Sequence, residues 1–480
     1  MYVGGLDIGT TGCKVVLFDE NGAEITSAYQ EYEVNRSGGL HEIDGLAIFN
    51  AVKSVFSRVA SEDIKAVAVT SFGETFVMVD ENDAPCAPSM LYTDPRGEEE
   101  CAALVDAFGA ENMAYKTGAK VHSMYSLPKI MWMKKNMPEN YEKAKHILLM
   151  QDFVVYMLSG VAQIDYSLAA RTLAFDIKNK CWDEEILAFA GVDSSLLSKP
   201  VPSGTAAGTI KAELAKELGL SEDLLIVSGC HDQIAAMTGS GVFDSSTAMD
   251  GTGTVECVPI VLDAPPESYE LYDLGYSFEP HINGKYVCIV LSYAGGATLK
   301  WFRDNISAES YKELDEKAAK RPSGLLILPH FAGAATPYMN SSSKAAIFGL
   351  TFEHSKTDIY RGLMEGTAYE IRVNCETMDK FGMAPKKLIA TGGGARSDLW
   401  LQIKADILGV PITALEGEEI GAAGTAYLAG LAVGLYQDGI KTIKERKTFY
   451  PDPEAKAYYD AQFEQYKHVY DASQSVITAE

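Results

Sequence analysis

At 480 residues, with 47% hydrophobic and 22% charged side chains, the chain is too long for one ordinary core and long enough to bury two of roughly 240 residues each. Its 41 lysines and arginines against 66 aspartates and glutamates leave a formal charge of −25, a balance that repels nucleic acid and anionic membrane and argues against both as partners. The eight cysteines are scattered, with no C-x-x-C pair and no histidine at zinc spacing, and no charged-then-apolar leader opens the chain; both features predict reduced thiols in a cytoplasmic protein.

The first predicted elements are strands at Tyr2–Leu6 and Cys13–Phe18, joined through Asp7-Ile8-Gly9-Thr10-Thr11-Gly12, and a third strand at Glu24–Tyr32 after the Asn21-Gly22 turn. Glycines let a backbone turn its N–H groups inward, threonine hydroxyls add donors, and a carboxylate at the strand end can hold the cation that a bound phosphate needs. That hairpin is a candidate phosphate clamp. A helix over 45–60 follows, then an apolar strand, Ala66–Thr70, which ends at Ser71-Phe72-Gly73-Glu74. Ligands of open α/β sheets bind at such carboxyl ends.

Residues 98–200 read as mostly helical. The strand Leu224–Ser228 then runs into Gly229-Cys230-His231-Asp232, with a helix from Gln233. Asp232 there suits either of two roles, an N-cap satisfying backbone N–H groups or a base accepting the proton of an attacking hydroxyl, and its position alone favours the cap. His231 reads as a structural hydrogen-bonding residue.

A boundary near Gly241–Ser246 divides the chain into domains 1–242 and 243–480. Just beyond it, Met249-Asp250-Gly251-Thr252-Gly253-Thr254 repeats the first hairpin and re-enters a strand at Val255–Val261. Asp250 lies 243 positions after Asp7, since 250 − 7 = 243. One such hairpin is most simply an ordinary turn; two, half a chain apart, point to a duplicated domain with a nucleotide between the halves.

The second half continues with a strand at Tyr286–Leu291, the turn Ala294-Gly295-Gly296, a helix at Ala297–Arg303, and strands at Leu325–Leu328 and Lys387–Ala390. The last opens into Thr391-Gly392-Gly393-Gly394, where a purine or ribose can lie against bare backbone, before a helix at Leu399–Leu408. The uncharged run Ile420–Gln437, after Glu418-Glu419, is too short for a bilayer and reads as a helix packed closely inside a domain. P-loop, α/β-hydrolase, zincin and protein-kinase signatures are absent.

With both hairpins, Asp232 and the triple glycine in view, the chain resembles the FGGY family of carbohydrate kinases, within the actin/hexokinase-like ATPase superfamily. The run Met124–Asn136 fits the family's first signature throughout, and the run from Ala345 to Gly366 fits the second except at Gly362, where the family usually has Ala or Ser. The resemblance implies an α/β fold of two RNase H-like domains with a cleft between them. It implies ATP and Mg²⁺ as cofactors, a small sugar as partner, and a homodimer.

By the same resemblance Asp232 is the general base, and Asp7 stands near Mg²⁺. Thr10, Thr11, Thr252 and Gly253 stand near the phosphates, and Gly296, Gly393 and Ser397 against ADP or ATP. The loop Thr70–Thr75 occupies the place where glycerol kinases carry an Arg-Glu pair and xylulokinases a Met-His pair. Here Gly73 replaces the arginine and Glu74 is retained, and the space so opened argues against glycerol and for a bulkier polyol or ketose. Gly73, Glu74, Asp94 and Arg96 are the expected sugar-binding residues, together with Asp232. The implied substrate is a pentulose such as xylulose or a deoxyhexulose such as L-fuculose, with glycerol or another polyol as the alternative. An actin-like ATPase acting through partner binding is the rival class; the signature around Lys129 and the acid at Glu74 weigh against it.

Overall fold

The computed structural model describes residues 1–318, 321–417, 419–436 and 444–476. Two mixed sheets organise it. The first holds β1 (Tyr2–Ile8), β2 (Gly12–Phe18), β3 (Glu24–Glu31), β4 (Ile64–Ser71), β5 (Ala206–Thr209) and β6 (Leu225–His231), in the order β5-β6-β4-β1-β2-β3. The second holds β7 (Thr247–Thr252), β8 (Glu256–Leu262), β9 (Ser277–Pro280), β10 (Tyr286–Ser292), β11 (Lys387–Thr391), β12 (Ile412–Leu415) and β13 (Glu445–Phe449), in the order β9-β10-β8-β7-β11-β12-β13.

The sheets repeat one topology: three antiparallel strands, then two parallel ones, then an antiparallel edge strand. β1 and β7 are equivalent, and so are the hairpins that follow them. β9 is an addition outside β10 with no counterpart in the first sheet. The inner strands are apolar on both faces because helices cover both, as in other sheets with parallel strands.

The helices that concern the site are α1 (Gly45–Val59), α2 (Ser126–Asn136), α3 (Tyr166–Ala170), α4 (Asp232–Gly239), α5 (Gly296–Asn305), α6 (Lys356–Asp379), α7 (Asp398–Leu408) and α8 (Ile420–Ala432). Most predicted elements appear within a few residues of their expected ends. Leu326–Leu328 is a strand, yet it pairs only with Ala346–Phe348, in a ribbon outside both sheets.

The uncharged run behaves differently from its expectation. α8 is not enclosed by its own domain; it lies in the seam between the halves, against α4 and β1. A Cβ on Gly424 would stand 1.9 Å from the Ala235 carbonyl oxygen, and one on Gly5 would stand 2.1 Å from that of Ala422. Small residues were the readable sign of close packing; which surface they meet is a tertiary matter. One apolar cluster accordingly contains Val3, Val16 and Ala235 from the first half with Met249, Val261 and Ala422 from the second. Glu418, just before that run, and Gln437, its last residue, lie outside the described residues. Among the described residues no helix is long and apolar enough to cross a membrane.

Candidate active site

Strand β6 aims the candidate base. Expected to end at Ser228, it continues to His231, which pairs with Ser71 of β4 after a register shift past Ser228. Such irregularities re-aim the side chains that follow. Asp232 is then the first residue of α4 and His231 stands at its cap. The Asp232 carboxylate caps nothing: it accepts no backbone N–H, its Oδ1 makes no hydrogen bond of good geometry, and its side chain is 36% exposed. Of the two roles open to it, the cap is therefore not the one it performs.

His231 is buried beside it. Nε2 lies 3.2 Å from Asp232 Oδ1 and Nδ1 lies 2.8 Å from Glu279 Oε1. Burial works against a charge on the ring, but Glu279 and Asp232 outweigh it and push the imidazole up to about 9. The residue read as structural is one whose surroundings favour its charged form, and it lies against the candidate base.

Asp7 closes the first hairpin across from Lys14. Burial first, then repulsion from Asp232 and Glu419, pushes its carboxyl up to about 7, with Lys14 opposing. Lys14 itself is held by Glu419 at 2.6 Å. Among the described residues no three His, Cys, Asp or Glu side chains form a ready-made metal cage. Carboxylates that repel one another at a phosphate-binding hairpin nonetheless fit Mg²⁺, which takes one or two carboxylates and completes its shell with substrate phosphates and water. Thr10 and Thr11 form the tip of this hairpin, with Thr11 exposed.

In the loop expected to meet the sugar, Glu74 is buried and held in the left-handed region at φ 64°, a strained backbone that clusters at functional sites. The space that Gly73 opens does not stay open. A Cβ on Gly73 would stand 3.0 Å from Cγ of Arg171, whose guanidinium donates to Glu74 Oε1 from Nε at 2.7 Å and also from Nη2. Arg171, one residue past α3, lies over the Tyr125 ring at 5.0 Å. The loop has lost its arginine, and a different element supplies one. The expectation of extra room at Gly73 is corrected accordingly.

Asp94 also departs from expectation. Its carboxylate is fully buried and accepts from His41 N, Arg96 N, Arg96 Nε and Arg96 Nη2, which uses the four acceptor positions a carboxylate has. It holds its loop and has none left for a sugar. Arg96 is spent on Asp94 and on Glu42 at 2.6 Å, with its guanidinium over Trp132. Lys129 of α2, at the centre of the first signature, is buried and donates to the carbonyls of Asp94 and Ser123. The signature is a clamp on this loop.

The second hairpin copies the first in backbone only. Asp250 is buried and paired with Lys404 of α7 at 2.7 Å, and Lys404 also meets Glu256 at 2.8 Å. Thr252 Oγ1 lies between Asp250 and Lys404, at 2.9 and 2.6 Å. Asp250 is thus neutralised by a lysine where Asp7 is left for a cation, and the Thr252 hydroxyl belongs to that network. Gly253 is exposed, and its carbonyl accepts Gly296 N–H at 2.8 Å, tying the hairpin to the start of α5. In the triple glycine, a Cβ on Gly392 or Gly394 would stand 2.6 Å from Thr252, while Gly393 faces open space. Two of the three glycines serve packing; Gly393 is the one that can meet a ligand. Ser397 caps α7, accepting from Trp400 N and donating to Asp315.

Sequence reading missed Arg171, Glu279 and Lys404. The last left a sign, because Trp400, Ile403, Lys404 and Ile407 fall on one helical stripe and a lysine there is anomalous. The other two leave none.

Comparison with known proteins agrees with this geometry. Residues 2–239 match the N-terminal domain, and residues 252–433 the C-terminal domain, of the FGGY family of carbohydrate kinases. The chain is 27% identical over 500 residues to a xylulose kinase of Bacillus subtilis, covering 100% of this chain and 98% of the relative. It is 31% identical over 461 residues to a glycerol kinase of Ectopseudomonas mendocina, covering 91% of each. The crystal structure of ligand-bound xylulose kinase from Lactobacillus acidophilus superposes with a TM-score of 0.90 at 25% identity over 98% of both chains. A duplicated α/β topology of actin/hexokinase-like type, a free carboxylate at the first domain's strand end, and family matches across both halves lead to one conclusion: the chain belongs to the FGGY family of carbohydrate kinases.

Proposed function

We propose that this sugar kinase transfers the γ-phosphoryl group of ATP to a hydroxyl of a neutral ketose, a pentulose such as xylulose or a deoxyhexulose such as L-fuculose. The observation that carries the reading is Asp232, an uncapped, partly exposed carboxylate close enough to the Asp7 hairpin to repel the Asp7 carboxyl. Asp232 accepts the proton of the attacking hydroxyl as the oxygen meets the γ-phosphorus, with positioning as the main contribution. Mg²⁺, held by Asp7 and the phosphates, would neutralise the charge of the transferred group. Thr10, Thr11, Gly253, Gly296 and Gly393 offer donors and bare backbone to the nucleotide. Both hydrogen bonds from Arg171 to Glu74 go to Oε1, which leaves Oε2 to accept from a sugar hydroxyl.

Full-length similarity to xylulose kinases supports the ketose. A second reading, glycerol or another small polyol, is favoured by one observation: Arg171 restores beside Glu74 the cation that Gly73 lacks. Residues 1–242 hold the sugar and the base in this reading, and residues 243–480 hold the nucleotide. The exposed run Ile347, Phe348, Leu350 and Phe352 supports a homodimer, which light scattering would test. Coupled ADP release against xylulose, L-fuculose and glycerol tests the substrate. Turnover with glycerol alone would favour the polyol, and turnover with none of the three would count against both readings.

A further inference from the structure

β9 is the strand with no counterpart in the first sheet, and it docks on the other domain. Phe278 N–H donates to the Gly118 carbonyl at 2.7 Å, and Arg171 Nη1 donates to Ser277 Oγ at 3.3 Å. Ser277 and Glu279, two residues apart on a strand, point to the same side. Glu279 is 1% exposed, with Oε1 at 2.8 Å from His231 Nδ1 and Oε2 at 3.7 Å from Arg171 Nη1. It stands between the cation that touches Glu74 and the cation that touches Asp232. A carboxylate buried at a domain contact is costly unless paired, and its two partners here are both part of the site.

We propose that Glu279 is a positioning residue for the base: from the nucleotide-side domain it holds the His231 ring so that Nε2 faces Asp232 Oδ1 and fixes where that carboxylate stands. The inference rests on Asp232 being the general base. With Nδ1–H given to Glu279, a neutral ring would turn a lone pair toward Asp232; the imidazolium instead turns an N–H toward it, at 3.2 Å. The base is therefore set only while β9 is docked. The proton taken from the sugar goes to Asp232, and His231 keeps its own.

The charged groups acting on the ring are Glu279 from β9, Asp232 from α4 and Arg171 from the end of α3. Glu279 and Asp232 favour the imidazolium and Arg171 opposes it. The charged ring is present below about 9 and lost above it, so kcat falls as pH rises through that value. In Glu279→Gln the amide oxygen still accepts Nδ1–H but the countercharge is gone, which moves an imidazole by about 1–3 pH units.

The test uses the full-length protein with Mg·ATP and xylulose, L-fuculose or glycerol, whichever drives ADP release. kcat and KM are followed from about pH 6 to about pH 10. Expected for E279Q is a basic limb at least about one pH unit lower, kcat at pH 8 reduced about twofold for a one-unit shift and about tenfold for two, and sugar KM within about threefold. His231→Gln should abolish the limb. An E279Q profile that overlays the wild type overturns the proposal. The ring ¹⁵N shifts of His231 in the wild-type protein, assigned by comparison with H231Q, give a readout that needs no variant of Glu279 to fold. A midpoint near the ordinary value of about 6.5 would also overturn it. Asp232→Asn separates the two layers. Near wild-type turnover there removes the base reading itself, whereas an inactive D232N with an unaltered E279Q removes Glu279 alone.

Discussion

Replacing Arg171 by Met tests whether the pair that fills the Gly73 space is structural, functional or both. The guanidinium is 9% exposed and its partner carboxylate 5%. Nε lies 2.7 Å from Glu74 Oε1, Nη1 lies 3.3 Å from Ser277 Oγ, and the Tyr125 ring lies beneath. Methionine keeps much of the volume against Gly73 but leaves Glu74 buried without its cation, and Glu279 with His231 alone. Breaking a buried pair from one side costs about 3–5 kcal/mol, whereas replacing both partners by neutral groups is often close to neutral. R171M should therefore lose about 3–5 kcal/mol and the double variant R171M/E74Q should regain roughly half or more. Urea unfolding followed by circular dichroism measures this, and calorimetry on the same proteins measures sugar affinity. Sugar affinity should fall at least about tenfold in both variants, equivalent to about 1.4 kcal/mol, because Glu74 Oε2 is no longer held in place. An R171M protein within about 1 kcal/mol of wild type, or a double variant as unstable as the sum of the singles, would refute the reasoning.

The remaining predictions concern the two hairpins and the base. Asp232→Asn should reduce kcat by about 10²–10⁴ with melting temperature and ATP affinity unchanged; steady-state kinetics and nucleotide calorimetry check it. For Asp7, with its carboxyl near 7, protons compete with the cation, so the Mg²⁺ concentration for half-maximal rate should rise as pH falls through that value. Asp7→Asn should need more Mg²⁺ throughout and lose the pH dependence; Mg²⁺ titrations on either side of neutrality would show an unchanged requirement if the role is wrong. Lys404→Met strands Asp250 and Glu256 without their cation, costing about 3–5 kcal/mol and raising KM for ATP more than KM for sugar. Equal effects on both would detach that network from the phosphate hairpin.

What could be read from the sequence was local. Strand, Gly/Thr hairpin and acid lie within a dozen residues at Asp7 and again at Asp250, so the duplication, the α/β class and the strand-end position of Asp232 were legible from short segments. The same locality misled at Gly73 and Asp94. A missing side chain looks like space until another element is seen to fill it, and an acid in a loop looks like a ligand until its own neighbour Arg96 is seen to occupy it.

The sequence by itself determined the repeated hairpins, the α/β class and the family, and it placed Asp232 at a strand end. Only the tertiary structure decided which charges meet. Arg171 reaches Glu74 across 97 positions, Glu279 reaches His231 across 48, and Lys404 reaches Asp250 across 154. Strands and turns are set by interactions between near neighbours, which a sequence displays directly. A buried ion pair is set by which elements pack face to face, and local patterning carries no record of that.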